Sequence, residues 1–479
     1  MIQGTGRDGP YSMRAVGERM PSVSLVSLGC AKNQIDSEIM LGLLAQAGFR
    51  ILPQATGADL VIVNTCGFID EAKRESIGAI LDASEGRPAG RVIVTGCLAQ
   101  RYPEALMRDM PEIAAVVGTG DFERIVEVAR EALAGRRTVA VGHAAARYDR
   151  LYPRRRLQSG PSAFLKIAEG CDHTCRFCAI PLFRGRFRSR PLPLLVEEAT
   201  QLAAEGVREL VLVSQDTISY GRDIEGRPLL AELLEALAAV PGVHWVRPLY
   251  LYPYLLSDAL LDRWAAVPYF DIPLQHGSDA ILAAMARPDR RAGIERLVAN
   301  IRRRFPEAAI RSSFIVGYPG ETEAHFRELL DLLDACTFDH AGFFAYSAED
   351  GTPAAALPDQ VGEAVREERY HAAMDHQARI AARRNAARLG QRLEVLVEGP
   401  VAGDDRFVEG RWHGQAPEVD GQVILPAAGV PVGAFTLAEV EGAEDFDLLA
   451  RPAGADTARE GAAQAPRRRA RARPRPQPL

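Results

Sequence analysis

EGCDHTCRFCAIPLFRGRFRSR, residues 169–190, follows the apolar run AFLKIA at 163–168 and sets Cys171, Cys175 and Cys178 at C-x-x-x-C-x-x-C spacing on a loop after a strand. Thiolates are the soft ligands that iron–sulfur clusters and zinc favour. Three of them on one loop can hold three irons of a cubane and leave the fourth iron without a protein ligand. The alternative is zinc, completed by His173 or a distant residue. Zinc sites more often use paired C-x-x-C or Cys/His spacings, and the chain offers no second pair.

Outward from this loop, strand-like runs alternate with helical patterns: AFLKIAEG (163–170), ELVLVSQD (209–216), HWVRPLYLYP (244–253), YFDIPLQHG (269–277), AIRSSFIVGYPG (309–320) and HAGFFAYSAEDG (340–351). Six βα units predict an open, TIM-like partial (βα)6 barrel with its chemistry at the C-terminal ends of the strands. On that rim Phe177, Gln215, Gln275, Gly317 and Tyr346 are the candidate cofactor contacts. The two glutamines can donate and accept, as a ribose or an amino-acid end needs; the other reading is ordinary strand-end polarity. Gly317 and Gly320 flank Pro319 in a turn, which explains them equally well. His276 has no evident partner acid and is not assigned a role.

Towards the N-terminus, VSLVSLG, DLVIVNT and RVIVTG alternate with amphipathic stretches and predict a parallel α/β sheet. Cys30, Cys66 and Cys97 each end one of these runs. Parallel strands end on one edge of a sheet, so the three thiols are expected to converge into a second three-cysteine site. Singly, each would read as a core thiol, which is how Cys336 is read. The segment 144–160, rich in Arg and Pro, reads as a linker. Beyond Pro358 one long helix is expected to end before Gly390, and the short β-type runs of 391–448 predict a small antiparallel barrel. The expected domains are therefore 22–143, 161–388 and 389–450, with 1–21 and 451–479 as disordered extensions.

The 479 residues are 47% hydrophobic and 25% charged, an ordinary globular composition. No apolar run approaches the ~18 residues of a spanning helix, and the N-terminus lacks a secretory h-region. A cytoplasmic protein without a membrane segment is expected, in which seven cysteines point to metal rather than disulfides. The net charge of −6 hides a split: 451–479 carry +6 and the first 450 residues −12. Within 389–450, Arg392, Arg406 and Arg411 face twelve acids, a poor surface for gripping RNA phosphates and a better one for a basic protein. Of 57 basic residues only Lys32, Lys73 and Lys166 are lysines. That bias resembles a GC-rich genome and lowers the weight given to any single arginine.

LGCAKNQIDSE, NTCGFI, TGCLAQRY, the 169–190 stretch, SQDTISYG, PLQHGSD and IVGYPGET together resemble the radical S-adenosylmethionine methylthiotransferase family over roughly 22–450. The resemblance implies a cluster domain, a radical S-adenosylmethionine barrel and a C-terminal TRAM domain. It implies two 4Fe-4S clusters, a radical-generating one on Cys171, Cys175 and Cys178 and a sulfur-delivering one on Cys30, Cys66 and Cys97. S-adenosylmethionine would serve both as radical source and as methyl donor, with Phe177 near its adenine. APEVDG at 416–421, SQDTISYG and PLQHGSD are similar to the RimO branch, which methylthiolates the β-carbon of an aspartate in ribosomal protein S twelve, free or in the small ribosomal subunit. The MiaB branch, which modifies tRNA adenosine, is the enzyme alternative; a ribosome-binding iron–sulfur protein is the non-enzymatic one. An electron donor of flavodoxin type would be a partner, and RNA contact would fall to the Arg-rich tail. Ala31 stands where the family often has proline.

Overall fold

The computed structural model describes residues 19–144 and 148–453; most of the two expected terminal extensions lies outside the described residues. Six parallel strands form the first sheet: β1 (Ser22–Ser27), β2 (Arg50–Ile51), β3 (Leu60–Thr65), β4 (Val92–Gly96), β5 (Ile113–Val117) and β6 (Thr138–Ala140), in the order 2-1-3-4-5-6. LVIVNT and VIVTG are buried along their whole length, as strands covered by helices on both faces require. The order turns back between β1 and β3, and β4 lies beside β3. Thr65 pairs with Gly96, so Cys66 and Cys97 leave the sheet side by side.

The second unit has strands β7 (Ser162–Lys166), β8 (Ala168–Glu169), β9 (Arg188–Ser189), β10 (Glu209–Val213), β11 (Trp245–Pro248), β12 (Tyr269–Asp271), β13 (Ala309–Val316) and β14 (His340–Ala345). β7, β10 and β11 pair in parallel, as do β12, β13 and β14. Val267 N donates to Val246 O (3.0 Å) and Leu251 N to Asp271 O (2.8 Å), carrying the wall from β11 to β12. All six expected barrel strands are present. β8 and β9 pair antiparallel, Ala168 with Ser189 and Glu169 with Arg188, and so pinch the base of the cysteine loop. The long helix runs Glu363–Ala386, and Gly390 turns the chain at φ +77°.

β15 (Arg392–Val401), β16 (Asp404–Trp412), β17 (Val423–Pro426), β18 (Phe435–Ala443) and β19 (Leu448–Pro452) close the expected small barrel, antiparallel throughout except where β17 and β19 pair in parallel. Arg451, assigned above to the tail, belongs to β19, where Glu439 and Glu441 hold it at 3.4 and 2.5 Å. The loop after β16 enters the N-terminal mouth of the large barrel. There Arg411 meets Glu209 at 2.5 Å, Arg247 donates to His413 O (2.6 Å), Tyr269 donates to Asp420 (2.6 Å), and His340 Nε2 lies 2.8 Å from Gly414 O. APEVDG thus belongs to a plug at the end of the barrel opposite the cysteine loop.

Among its described residues, 144 and 148–160, the segment read as a linker carries no helix or strand, yet these residues are firmly seated. Tyr148 and Tyr152 are buried against Phe122, with ring centroids at 5.5 and 5.6 Å. Arg154 bridges Glu38 of the first unit and Glu198 of the barrel. A run rich in Arg and Pro reads as a linker in sequence, but its partners lie on helices of two different units.

Candidate active site

Cys30 N-caps the helix Ala31–Gln46, Cys66 follows β3, and Cys97 opens the helix Cys97–Arg101. Gly29 makes the approach possible: at φ +85° its missing Cβ would sit 2.9 Å from Cys66 Cβ. Asn33 ties the edge together, donating to Leu28 O (3.1 Å) and Thr65 O (2.9 Å). The three thiols lie within electrostatic reach of one another. Burial first, and then the neighbouring thiols, push Cys66 well above the ordinary thiol range. Cys97 is raised by burial as well, although Arg184 opposes the rise.

The loop cysteines form the other group. Burial pushes Cys171 up to about 12 and Cys178 further, with Cys175 adding to both. Packing thiolates this way is unfavourable unless a cation shares them, which iron would do. His173, the zinc candidate, is otherwise engaged: Nε2 lies 2.7 Å from Asp216 and the ring stacks on Tyr252 at 3.8 Å. Among the described residues no three His, Cys, Asp or Glu side chains converge closely enough to hold one ion. A cubane spreads its thiolates over three irons and does not need that convergence. Cys336 is a core thiol beneath the barrel, raised by burial to about 11.

Between the loop and the first sheet opens a cavity. Cys171, Cys175, Cys178, Phe177, Gln215, Gln275 and Tyr346 line it together with Lys32, Phe68 and Ile69 from the first unit. Gln215 Oε1, Gln275 Oε1 and the Tyr346 hydroxyl are buried without a hydrogen-bond partner. Such groups are costly unless a ligand completes them, and they suit the polar ends of S-adenosylmethionine. Gln275 also holds φ +73°, kept there by a bridge to β13 through Gln275 N to Ser313 O (2.9 Å) and Ile315 N to Gln275 O (2.8 Å). Gly317 is not a wall of the cavity; a Cβ there would meet Arg366 at 2.2 Å.

The two cysteine groups share a wall. Cys97 packs with Ala179, Phe183, Phe68 and Ile180, the residues that follow Cys178 or precede the helix Asp70–Ser84. Arg184 closes that wall, donating to Cys97 Sγ (3.3 Å), Asp36 (2.9 Å), Glu169 (3.0 Å) and Asn33. Lys166 joins Asp36 (2.5 Å) and Glu169 (2.9 Å) from β7, and Gln215 donates to Glu169 at 2.7 Å. Burial opposes the charge on Glu169, but Arg184 and Lys166 outweigh it and hold the carboxyl well below its usual range. Sequence reading missed Arg184, Lys32, Arg287 and Tyr250. It also missed the acid beside His276: Glu321 lies 3.2 Å from Nε2, outside the cavity wall.

A partial (βα)6 barrel with a three-cysteine loop on its C-terminal rim, fused to a sheet that gathers three more cysteines, defines a radical S-adenosylmethionine enzyme with an additional thiolate site. Family models agree: residues 22–118 match an uncharacterised protein family, UPF0004, residues 165–333 the radical SAM superfamily, and residues 389–452 the TRAM domain. The ribosomal protein uS12 methylthiotransferase RimO of Symbiobacterium thermophilum is 47% identical over 444 residues, 91% of each chain. That of Desulforudis audaxviator is 47% identical over 437 residues, 90% of this chain and 96% of its own. The chain belongs to this RimO family of methylthiotransferases. Its cofactors are those of a radical S-adenosylmethionine enzyme: S-adenosylmethionine and 4Fe-4S clusters. In fold it is similar to the radical S-adenosylmethionine methyltransferase TsrM of Kitasatospora setae (TM-score 0.51, 18% identity, 70% and 77% of the two chains). Among the described residues no helix is long and apolar enough to cross a membrane.

Proposed function

We propose that this chain inserts a methylthio group at the β-carbon of an aspartate of ribosomal protein uS12, with Cys171, Cys175 and Cys178 holding the radical-generating cluster and Cys30, Cys66 and Cys97 the sulfur-delivering one. The carrying observation is that two cysteine triplets, one at the ends of parallel strands of the first sheet and one on the loop after β8, share one wall. When bound, the clusters and S-adenosylmethionine supply a deoxyadenosyl radical and an activated sulfur, which no side chain can provide. The chain's own residues position and enclose. Gln215, Gln275 and Tyr346 offer their open polar atoms to the cofactor, and Phe177 offers a ring face. Phe68, Ile69 and Ile180 keep water from the gap between the triplets. Arg184 and Lys166 hold the two units at fixed distance, which an unactivated carbon–hydrogen bond demands of any two-step reaction.

The reading keeps 22–143, 161–388 and 389–450 as its three domains, with work in the cytoplasm on the free protein or the assembled small subunit. An electron donor of flavodoxin type reduces the loop cluster, and the Arg-rich tail supplies what RNA contact there is. The test offers purified uS12 and tRNA in parallel to the anaerobically reconstituted protein with reductant and S-adenosylmethionine. A methylthio mass gain on uS12 is expected; gain on tRNA alone overturns the assignment, and absence of deoxyadenosine overturns both enzyme readings.

A further inference from the structure

Nine lysines and arginines among the described residues are buried in this fold, and eight of them have a carboxylate within salt-bridge distance: Lys166, Arg184, Arg190, Arg247, Arg287, Arg311, Arg369 and Arg411. The ninth is Lys32, 3% exposed. Its Nζ reaches Ser214 O at 3.4 Å and sits 3.5 Å above the centre of the Tyr250 ring. Burial opposes its charge, and Tyr250, Cys30 and Glu169 more than offset that, so the ammonium is kept although none of the described carboxylates lies within salt-bridge distance of it. Lys32 also occupies the first turn of the helix Ala31–Gln46, where the helix dipole disfavours a cation.

We propose that Lys32 receives the side-chain carboxylate of the substrate aspartate, so that this one contact selects an acidic residue for methylthiolation. The inference rests on the function proposed above and deepens it. Lys32 lines the cavity together with Cys171, Cys175 and Cys178 and follows Cys30 by two residues, so it stands between the two cysteine groups. The other charged walls are occupied. Arg287 pairs with Asp289 at 3.0 Å and lies over Tyr252, His173 pairs with Asp216, and Glu349 is held by Arg101 (2.7 Å) and Lys73 (3.1 Å). Among the described residues of the wall, only Lys32 carries a charge with no ion-pair partner at salt-bridge distance, and its sign suits a carboxylate and not an adenine ring. The residue type fits too. In a chain with three lysines among 57 basic residues, a lysine here marks a place for a compact point charge instead of a planar fork. Tyr250, at φ +60°, is the strained platform that holds the ammonium in place.

The test uses the full-length reconstituted protein with uS12 and with uS12 carrying asparagine at the modified position. Wild type is expected to prefer the aspartate protein by roughly ten- to a hundredfold in kcat/KM, the worth of a charge-assisted contact. Lys32→Met should lose that preference, through a raised KM for the aspartate protein with little change for the asparagine one. Lys32→Arg should retain part of it. Equal use of both proteins by wild type overturns the proposal while leaving the methylthiotransferase reading intact, and so does an equal loss on both in Lys32→Met. If Lys32→Met takes up less iron, the wild-type preference and the Lys32→Arg variant still decide. No methylthiolation of either protein by wild type defeats the function reading instead.

Discussion

Arg184 Nη2 lies 3.3 Å from Cys97 Sγ, although the two residues come from different units and are 87 positions apart. Arg184 ends the short helix Ile180–Arg184 that begins two residues after Cys178. One turn and a half of helix therefore connects a ligand of the loop triplet to a hydrogen bond on the sheet triplet. The same guanidinium reaches Asp36 and Glu169, so the distance between the two triplets is set by a buried, charge-balanced network of Asp36, Glu169, Lys166 and Arg184.

Replacing Arg184 should expose that dependence. Arg184→Gln leaves two buried carboxylates with one lysine, and breaking such a set costs about 3–5 kcal/mol. Denaturant unfolding of the apo protein should register that loss, with Arg184→Lys in between because it keeps the charge and loses the fork. With clusters loaded, removing a donor from Cys97 sulfur should move the potential of the sheet cluster to more negative values and leave the loop cluster where it was. A redox titration showing no shift at either cluster would rule out this role.

Cofactor affinity should respond to the three open polar atoms. Gln215→Leu, Gln275→Leu and Tyr346→Phe each remove an atom that is buried without a partner, so apo stability should hold or rise while S-adenosylmethionine binding weakens about tenfold, or about 1.4 kcal/mol. Equilibrium dialysis with the reconstituted protein measures it. Gln215→Leu carries a second cost, since its amide donates to Glu169. Unchanged binding in all three would place the cofactor elsewhere in the cavity.

How much of this was legible beforehand follows from what sequence pattern encodes. Alternating apolar runs marked both sets of parallel strands, and the shared position of Cys30, Cys66 and Cys97 at strand ends placed them on one edge of the sheet, because register in a parallel sheet carries equivalent positions to one edge. Arg184 was invisible because arginine is everywhere in this chain, and its significance lies in partners 15, 148 and 151 residues away. Lys32 carried a signal in its rarity that went unused. APEVDG served as a marker of the family branch, and only the fold reveals that its Asp420 takes a hydrogen bond from Tyr269 at the mouth away from the cysteines. Periodicity records burial, not the partner across a domain boundary.

The cysteine triplets should separate by variant. Cys178→Ala should lose about half the iron and all deoxyadenosine formation, whereas Cys97→Ala should lose the other half of the iron, still form deoxyadenosine, and fail to transfer sulfur. Iron analysis, electron paramagnetic resonance and product mass give three independent readings. Full iron in either variant would mean that the altered thiol is not a ligand.

Acid should loosen the small barrel from the large one before the rest of the protein yields. Burial disfavours a charged Glu209, but Arg411 and Arg247 more than offset it and hold the carboxyl down at about 2, against an ordinary value of 4.5. A depressed carboxylate adds stability above its unfolded value and gives it up as pH falls through 4.5 towards 2; that shift corresponds to about 3 kcal/mol. Because Glu209 joins β10 to Arg411 of β16, the loss falls on the contact between the two barrels. Trp412, buried at this contact with Arg388 over its ring at 4.0 Å, should report it as a change in emission across that window. Arg411→Met leaves Glu209 with Arg247 alone, raises its folded value, and should move the transition to higher pH. If wild type and Arg411→Met undock at the same pH, the docking does not depend on this carboxylate.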